Sequence, residues 1–211
     1  MVDITFLMGA NATGKSTRMK SLVDSLGEDY EDYEYTFIDD KKSEGELKTV
    51  IVGRLYSNGF LVMGSEAKNA AGWVCLDKAI LSKQDTRTTF YKWVMKNDDR
   101  VKRIFVEGYF NTMSPRSRPT FLRETGFNDI DCFFMFYDTV EDFIERTERR
   151  SGSTWEEKGK DARTSAGWKD NLGFMRAFDK SLKEDNNPSD GRKVMRLPID
   201  APIDYFVRKY G

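Results

Sequence analysis

Eight residues near the amino terminus, Gly9-Ala10-Asn11-Ala12-Thr13-Gly14-Lys15-Ser16, carry two glycines, a lysine and a hydroxyl at the spacing G-x-x-x-x-G-K-[ST]. Each residue type answers a requirement for holding a polyphosphate. Gly9 and Gly14 accept backbone torsions that other residues resist, so successive N–H groups can converge on one anion. Lys15 can reach the β- and γ-phosphates, and the Ser16 hydroxyl, followed by Thr17, can ligate Mg²⁺. Such a loop must leave a strand and enter a helix, whose positive N-terminal end then faces the same anion. Both neighbours are present: Ile4–Met8 is a compact apolar run, and residues 15–26 fit a helix. The spacing and its context imply bound ATP·Mg²⁺.

Phosphoryl chemistry also needs support for the metal, a group to orient the attacking hydroxyl, and cations for developing charge. Glu107 ends the apolar run 103–106 and precedes Gly108, where a metal-supporting carboxylate would sit. Asp39 and Asp40 end the run 35–38, and either could accept a proton from an acceptor hydroxyl; Asp39, nearer the strand, is the preferred base. Arg146, Arg149 and Arg150 fall three and four apart on one charged helix, as a lid over phosphates would carry them. Arg116, Arg118 and Arg123 follow Tyr109 and Phe110, a combination that can stack a base and pair a phosphate.

The elements that must position these residues alternate along the chain. Strands are expected at 4–8, 35–38, 60–63, 101–106, 132–137 and 194–197, and helices at 15–26, 44–56, 86–96, 140–150 and after Pro202. Residues 28–34 read as a solvated connection, and 152–173, with few aliphatics and many charges, as a mobile excursion outside the core. Alternating strands and helices predict one α/β domain spanning residues 1–211, a mostly parallel sheet covered on both faces, with a lid-like segment at roughly 146–173.

Composition excludes several chemistries. The 211 residues contain no histidine, so a general base must be a carboxylate, lysine or tyrosine. Two cysteines far apart, with no histidine, make a zinc site unexpected. The longest apolar run, Cys132–Tyr137, is too short to span a bilayer, and the first residues lack the basic and apolar regions of an export signal. A cytoplasmic protein with reduced thiols and no membrane partner is the expectation. The net charge of -1 neither favours nor excludes nucleic acid.

With these residues in view, the chain resembles the P-loop kinases of the nucleoside and nucleotide kinase superfamily. The likeness covers the loop, Glu107-Gly108, and the segment from Phe134 through Asp138-Thr139 into Glu141 and Arg146-x-x-Arg149-Arg150. It implies a five-stranded parallel core, ATP as donor, Arg146 and Arg150 at the transferring phosphate, and Arg149 on the nucleotide. Residues 37–40 are similar to the catalytic-aspartate segment of polynucleotide-type kinases. Met63-Gly64-Ser65 followed by Gly72-x-x-x-x-Asp77 looks like a segment of bacteriophage P-loop kinases, including those acting on 5-hydroxymethyluracil in DNA. A tyrosine frequent in that group near Ser65-Glu66 is absent here.

The expectation is therefore a kinase passing the ATP γ-phosphoryl group to a nucleotide or modified-DNA acceptor, with Asp40, Arg116, Arg118 and Arg123 on the acceptor. A deoxynucleoside monophosphate kinase, an ATPase or nucleotide switch without acceptor, and a nucleic-acid-binding module that merely docks a phosphate are the alternatives.

Overall fold

A computed structural model describes residues 2–39, 46–66, 73–74, 84–108, 126–184 and 192–211. Their elements run β1 (Asp3–Gly9), α1 (Lys15–Leu26), β2 (Tyr30–Asp39), β3 (Glu46–Tyr56), β4 (Phe60–Met63), β5 (Ser65–Glu66), β6 (Trp73–Val74), α2 (Gln84–Asn97), β7 (Arg103–Glu107) and β8 (Ile130–Met135). Then follow α3 (Val140–Ser151), a 3-10 turn (Ala162–Thr164), α4 (Ala166–Glu184), β9 (Arg192–Arg196) and α5 (Tyr205–Tyr210).

Seven of the described strands form one sheet in the order β2-β3-β4-β7-β1-β8-β9. β4, β7, β1, β8 and β9 run parallel to their neighbours. β3 is antiparallel to β4, and β2 to β3. The architecture is mixed α/β, and in place of a sheet of five parallel strands there is a seven-stranded one, in which five strands run parallel and β2 and β3 add antiparallel pairs. β1 and β8 are apolar on both sides because the sheet is covered on both faces, with Ile4, Phe6 and Cys132 in one buried cluster and Leu7, Phe133 and Met135 in the other. Among the described residues no helix is long and apolar enough to cross a membrane.

Three further expectations are corrected. The helix expected over 44–56 is strand β3 from Glu46 onward: Thr49, Val50, Ile51 and Val52 form a β-branched run that a pleated ladder accommodates better than a helix. The stretch 28–34 is not all connection, since β2 begins at Tyr30 and buries Tyr33 and Tyr35 between exposed Asp32, Glu34 and Thr36. That alternation is the period of a half-buried strand. Finally, the segment 152–173, though mostly exposed, sends Trp155, Ala162 and Trp168 against the core. Phe143 of α3 is enclosed by the rings of Trp155 and Trp168, each 5.7 Å away between centroids, and Ala162 is buried beside them.

The start of α4 also fixes the end of β8. Asn171 is fully buried, and its amide accepts from the Tyr137 N–H at 2.7 Å and donates to the Tyr137 carbonyl at 2.9 Å. One side chain thus satisfies both backbone groups where the sheet ladder stops. α3 is delimited by local chemistry: Thr139 accepts from the Asp142 N–H at 3.1 Å, and Gly152, left-handed at φ 67°, donates to the Glu148 carbonyl at 2.8 Å.

Replacing Asn171 by alanine strands two buried backbone groups, each costing about 1–3 kcal/mol. Chemical denaturation should show a loss of about 3 kcal/mol; a loss under about 1 kcal/mol would mean that water or a neighbouring group takes over the Tyr137 pair.

Candidate functional site

The loop between β1 and α1 is shaped by close approach. A Cβ on Gly9 would fall 2.0 Å from the Met135 carbonyl oxygen, so no other residue fits there without moving β8. Directly afterwards the Ala10 N–H donates to that same oxygen at 3.0 Å. The Ala10 carbonyl accepts from the Thr13 hydroxyl at 2.8 Å and from the Lys15 ammonium at 2.7 Å, closing the loop on itself. Ala12 is left-handed at φ 61°, a conformation that costs an alanine roughly 1 kcal/mol. Gly14, at φ 85°, precedes α1 and offers no side chain to cap it. No side chain therefore caps the start of α1, the end of a helix at which an anion is favoured.

Glu107 ends β7 beside β1, opposite Leu7 in the register, and is almost wholly buried. Its Oε1 accepts from the Ser16 hydroxyl at 2.7 Å. A hydroxyl and a carboxylate meeting at the mouth of the loop are a hard-oxygen donor set, of the kind that suits Mg²⁺ retaining several waters. The residues present therefore fit that ion.

A pocket of about 300 Å³ adjoins the loop. Tyr137 and Asp138 wall it where β8 ends, Asp142, Glu145 and Arg146 from α3, Arg196 at the end of β9, and Pro198, Ile199 and Asp200 after it. Two hydrogen bonds join it to the cradle: Tyr137 Oη donates to the Asn11 carbonyl at 3.2 Å, and Arg18 Nη2 to the Ile199 carbonyl at 2.9 Å. Burial pushes the Tyr137 phenol up to about 12, with Arg146 and Arg150 partly opposing it, so it remains a donor at neutral pH. Arg196 pairs with Asp138 while its guanidinium lies 4.5 Å from the Phe136 ring centre, and with Asp142, Glu145 and Asp200 also in the wall the carboxylates of the pocket outnumber its two arginines.

The structure brings Gly9 to Thr17, Glu107 and Arg146 to one end of the sheet. Arg150 acts electrostatically on Tyr137, whereas Arg149, exposed on the same helix, is outside the pocket wall. Asp39 is not brought to the cradle. β2 and β3 stay paired out to Asp39 and Glu46, while the β3–β4 ladder ends at Gly53 and Met63, level with Tyr33. Six residues of strand carry Asp39 on the order of 20 Å past the end of β4, on an edge strand four places from β1. Asp40, Arg116, Arg118 and Arg123 lie outside the described residues.

Three contributors escaped the sequence reading. Arg18, one turn after Lys15 on α1, gives no sign in the sequence that its guanidinium is buried. Tyr137 sits in an apolar run, and only the fold turns its hydroxyl to Asn11. The turn Pro198–Ala201 is marked only by its proline.

Alanine at position 9 must push β8 away from the loop. We expect nucleotide affinity, read by calorimetry, to fall about tenfold or more, equivalent to 1.4 kcal/mol, and stability to fall by about 1–3 kcal/mol. Wild-type affinity in the folded variant would show that the Gly9–Met135 approach does not shape the cradle.

No family model matches the chain, and no curated protein matches it. Among solved structures, the chain is similar to an unliganded sugar kinase from a Janibacter species, at 12% identity and a TM-score of 0.42, over 99% of this chain and 92% of that one. A likeness that remote carries no argument about the chemistry of this chain.

Proposed function

We propose that the chain is an ATP-dependent phosphotransferase. The observation that carries this reading is the hydrogen bond from Ser16 to Glu107 across the mouth of a glycine-bounded loop, at the N-terminus of a long helix. Ser16 would ligate Mg²⁺ and Glu107 would hold it directly or through water. That ion would bridge the phosphates and neutralise the charge developing on them. Lys15 would exchange its bond to the Ala10 carbonyl for charge-assisted bonds to the β- and γ-phosphates, which are the stronger. Arg146, with Arg150 beside it, would stabilise charge on the transferred group, and the pocket would receive the base. Lys15 is buried in the loop and so would act on the phosphates at reduced dielectric, whereas Arg146 and Arg150 are exposed on α3.

For the acceptor we propose the hydroxymethyl group of 5-hydroxymethyluracil in DNA, supported by the resemblance of residues 63–77 and 37–40 to phage and polynucleotide-type kinases. The attacking hydroxyl would have to enter the cradle beside Lys15, while Asp39 and Asp40, at the projecting end of β2, would touch the acceptor away from the transferred phosphate as binding contacts. A free deoxynucleoside monophosphate is the second reading, favoured by the exposed carboxylates Glu31, Asp32 and Glu34 on that same strand, which repel a DNA backbone.

Lys15→Ala should abolish phosphoryl transfer in a folded protein, and Glu107→Gln should lower kcat about tenfold, a barrier change of about 1.4 kcal/mol. Retained turnover in Lys15→Ala would sink the assignment of the loop. The acceptor is decided by salt. Turnover of hydroxymethyluracil-containing DNA should weaken steeply with ionic strength, with a slope near -0.9 per phosphate neutralised, roughly. Efficient turnover of a free monophosphate, with none on modified DNA at low salt, would replace the DNA reading by the second.

A further inference from the structure

We propose that Arg18 is a positioning residue that ties the phosphate cradle to the turn at 198–201, so that the triphosphate and the base of the donor nucleotide bind as one unit. This rests on the nucleotide-binding function proposed above. The guanidinium is buried, with only 3% of the residue exposed. Its Nη1 donates to the carbonyls of Thr13 and Gly14, at 3.4 and 3.3 Å, both in the cradle. Its Nη2 donates to the carbonyls of Ile199, at 2.9 Å, and Ala201, both in the turn that walls the pocket. Residues 181 and 183 positions apart in sequence thus meet on one planar group.

The chemistry of the group suits it to this bridging. A guanidinium presents donors in a rigid plane, so displacing either wall breaks bonds to it and the movement passes to the other wall. A lysine at the same place carries its three donors on one freely rotating nitrogen, without the fixed spread with which a guanidinium spans two walls. Within the turn the Ala201 N–H donates to the Pro198 carbonyl, Leu197, just before it, is fastened to the Phe134 carbonyl, and Ile199 and Ala201 pack at the edges of the two apolar clusters. The four acceptors of Arg18 are neutral carbonyls, and the charges that act on it are Arg146, which opposes its protonation, and Asp200, which favours it. A desolvated cation with so little compensation is stabilised when a polyphosphate arrives in the adjoining cradle. Phosphate binding therefore tightens the cradle–turn link, and a tightened turn presents a preformed wall to the base.

The test compares ATP with inorganic tripolyphosphate, both with Mg²⁺, by calorimetry on the full chain. In Arg18→Lys the charge stays and the fork is lost. ATP affinity should fall about tenfold or more while tripolyphosphate affinity changes less than about threefold. Parallel losses for both probes would reduce Arg18 to a source of charge, and an unchanged ATP affinity would remove any role; either result overturns the proposal. A second measurement needs no variant. Tripolyphosphate has no base with which to touch the turn, yet in the wild-type protein it should slow amide hydrogen exchange at Ile199, Asp200 and Ala201. Unchanged exchange there, with tripolyphosphate bound, overturns the coupling even if Arg18→Lys does not fold. If the wild-type protein binds neither probe, the nucleotide site itself fails and the proposal with it, a result distinct from failure confined to the variant.

Discussion

The approach of Gly9 to the Met135 carbonyl is the contact on which the rest of the site depends. β1 and β8 stay in parallel register up to that pair, and only a residue without Cβ can occupy the last rung, with the oxygen 2.0 Å from where a Cβ would sit. The same oxygen then holds the Ala10 N–H, which fixes the direction of the Ala10 carbonyl. That carbonyl gathers the Thr13 hydroxyl and the Lys15 ammonium. The left-handed conformation of Ala12 is a local cost of roughly 1 kcal/mol that persists because both ends of the loop are held. A loop fixed at one atom can present a rigid set of donors, and rigidity is what makes such donors effective for charge.

Around this loop the protein buries polar groups that would be costly alone and gives them partners. Lys15 and Arg18 are nearly inaccessible and donate to carbonyls; Glu107 receives the Ser16 hydroxyl; Asn171 completes the backbone of Tyr137. In the function proposed above, Lys15 would face the phosphate chain and the carboxylate the divalent ion. At reduced dielectric, such placement matters more than the number of charges.

The two halves of the sheet do different things. The parallel strands end together and their ends carry the site, as expected of a sheet whose connections cross over its faces. The β2–β3 pair instead runs on past that edge, with Ile38 and Leu47 paired and exposed on it, and so takes Asp39 away from the cradle. At the opposite ends of the parallel strands, Asp131 is buried and accepts from Tyr210 and, at 3.4 Å, from Arg103, which also pairs with Asp3 at 2.8 Å. That network fastens α5, whose Phe206 packs at 5.1 Å, between ring centres, on Phe133 of β8.

The sequence alone determined the cradle, its strand and helix, the carboxylate at Glu107 and both ends of α3, because these are set by short-range chemistry: glycine torsions, a lysine and hydroxyl at fixed spacing, a threonine cap and a left-handed glycine. The alternation of Tyr33, Tyr35 and Phe37 with Glu34, Thr36 and Ile38 also held the strand β2, and acidity in the same stretch concealed it. Tertiary structure decided the rest. β3 is a strand because β2 and β4 flank it, although its apolar residues also fit a helical face. The stretch 152–173 gives Trp155 and Trp168 to the core because the rings of both pack on the buried Phe143. Arg18 became a bridge, and not a surface cation, because a turn some 180 residues later in the chain places two carbonyls within reach of its guanidinium. Such contacts leave no local pattern, since each partner taken alone is an ordinary residue and only the closure of the fold brings the pair together.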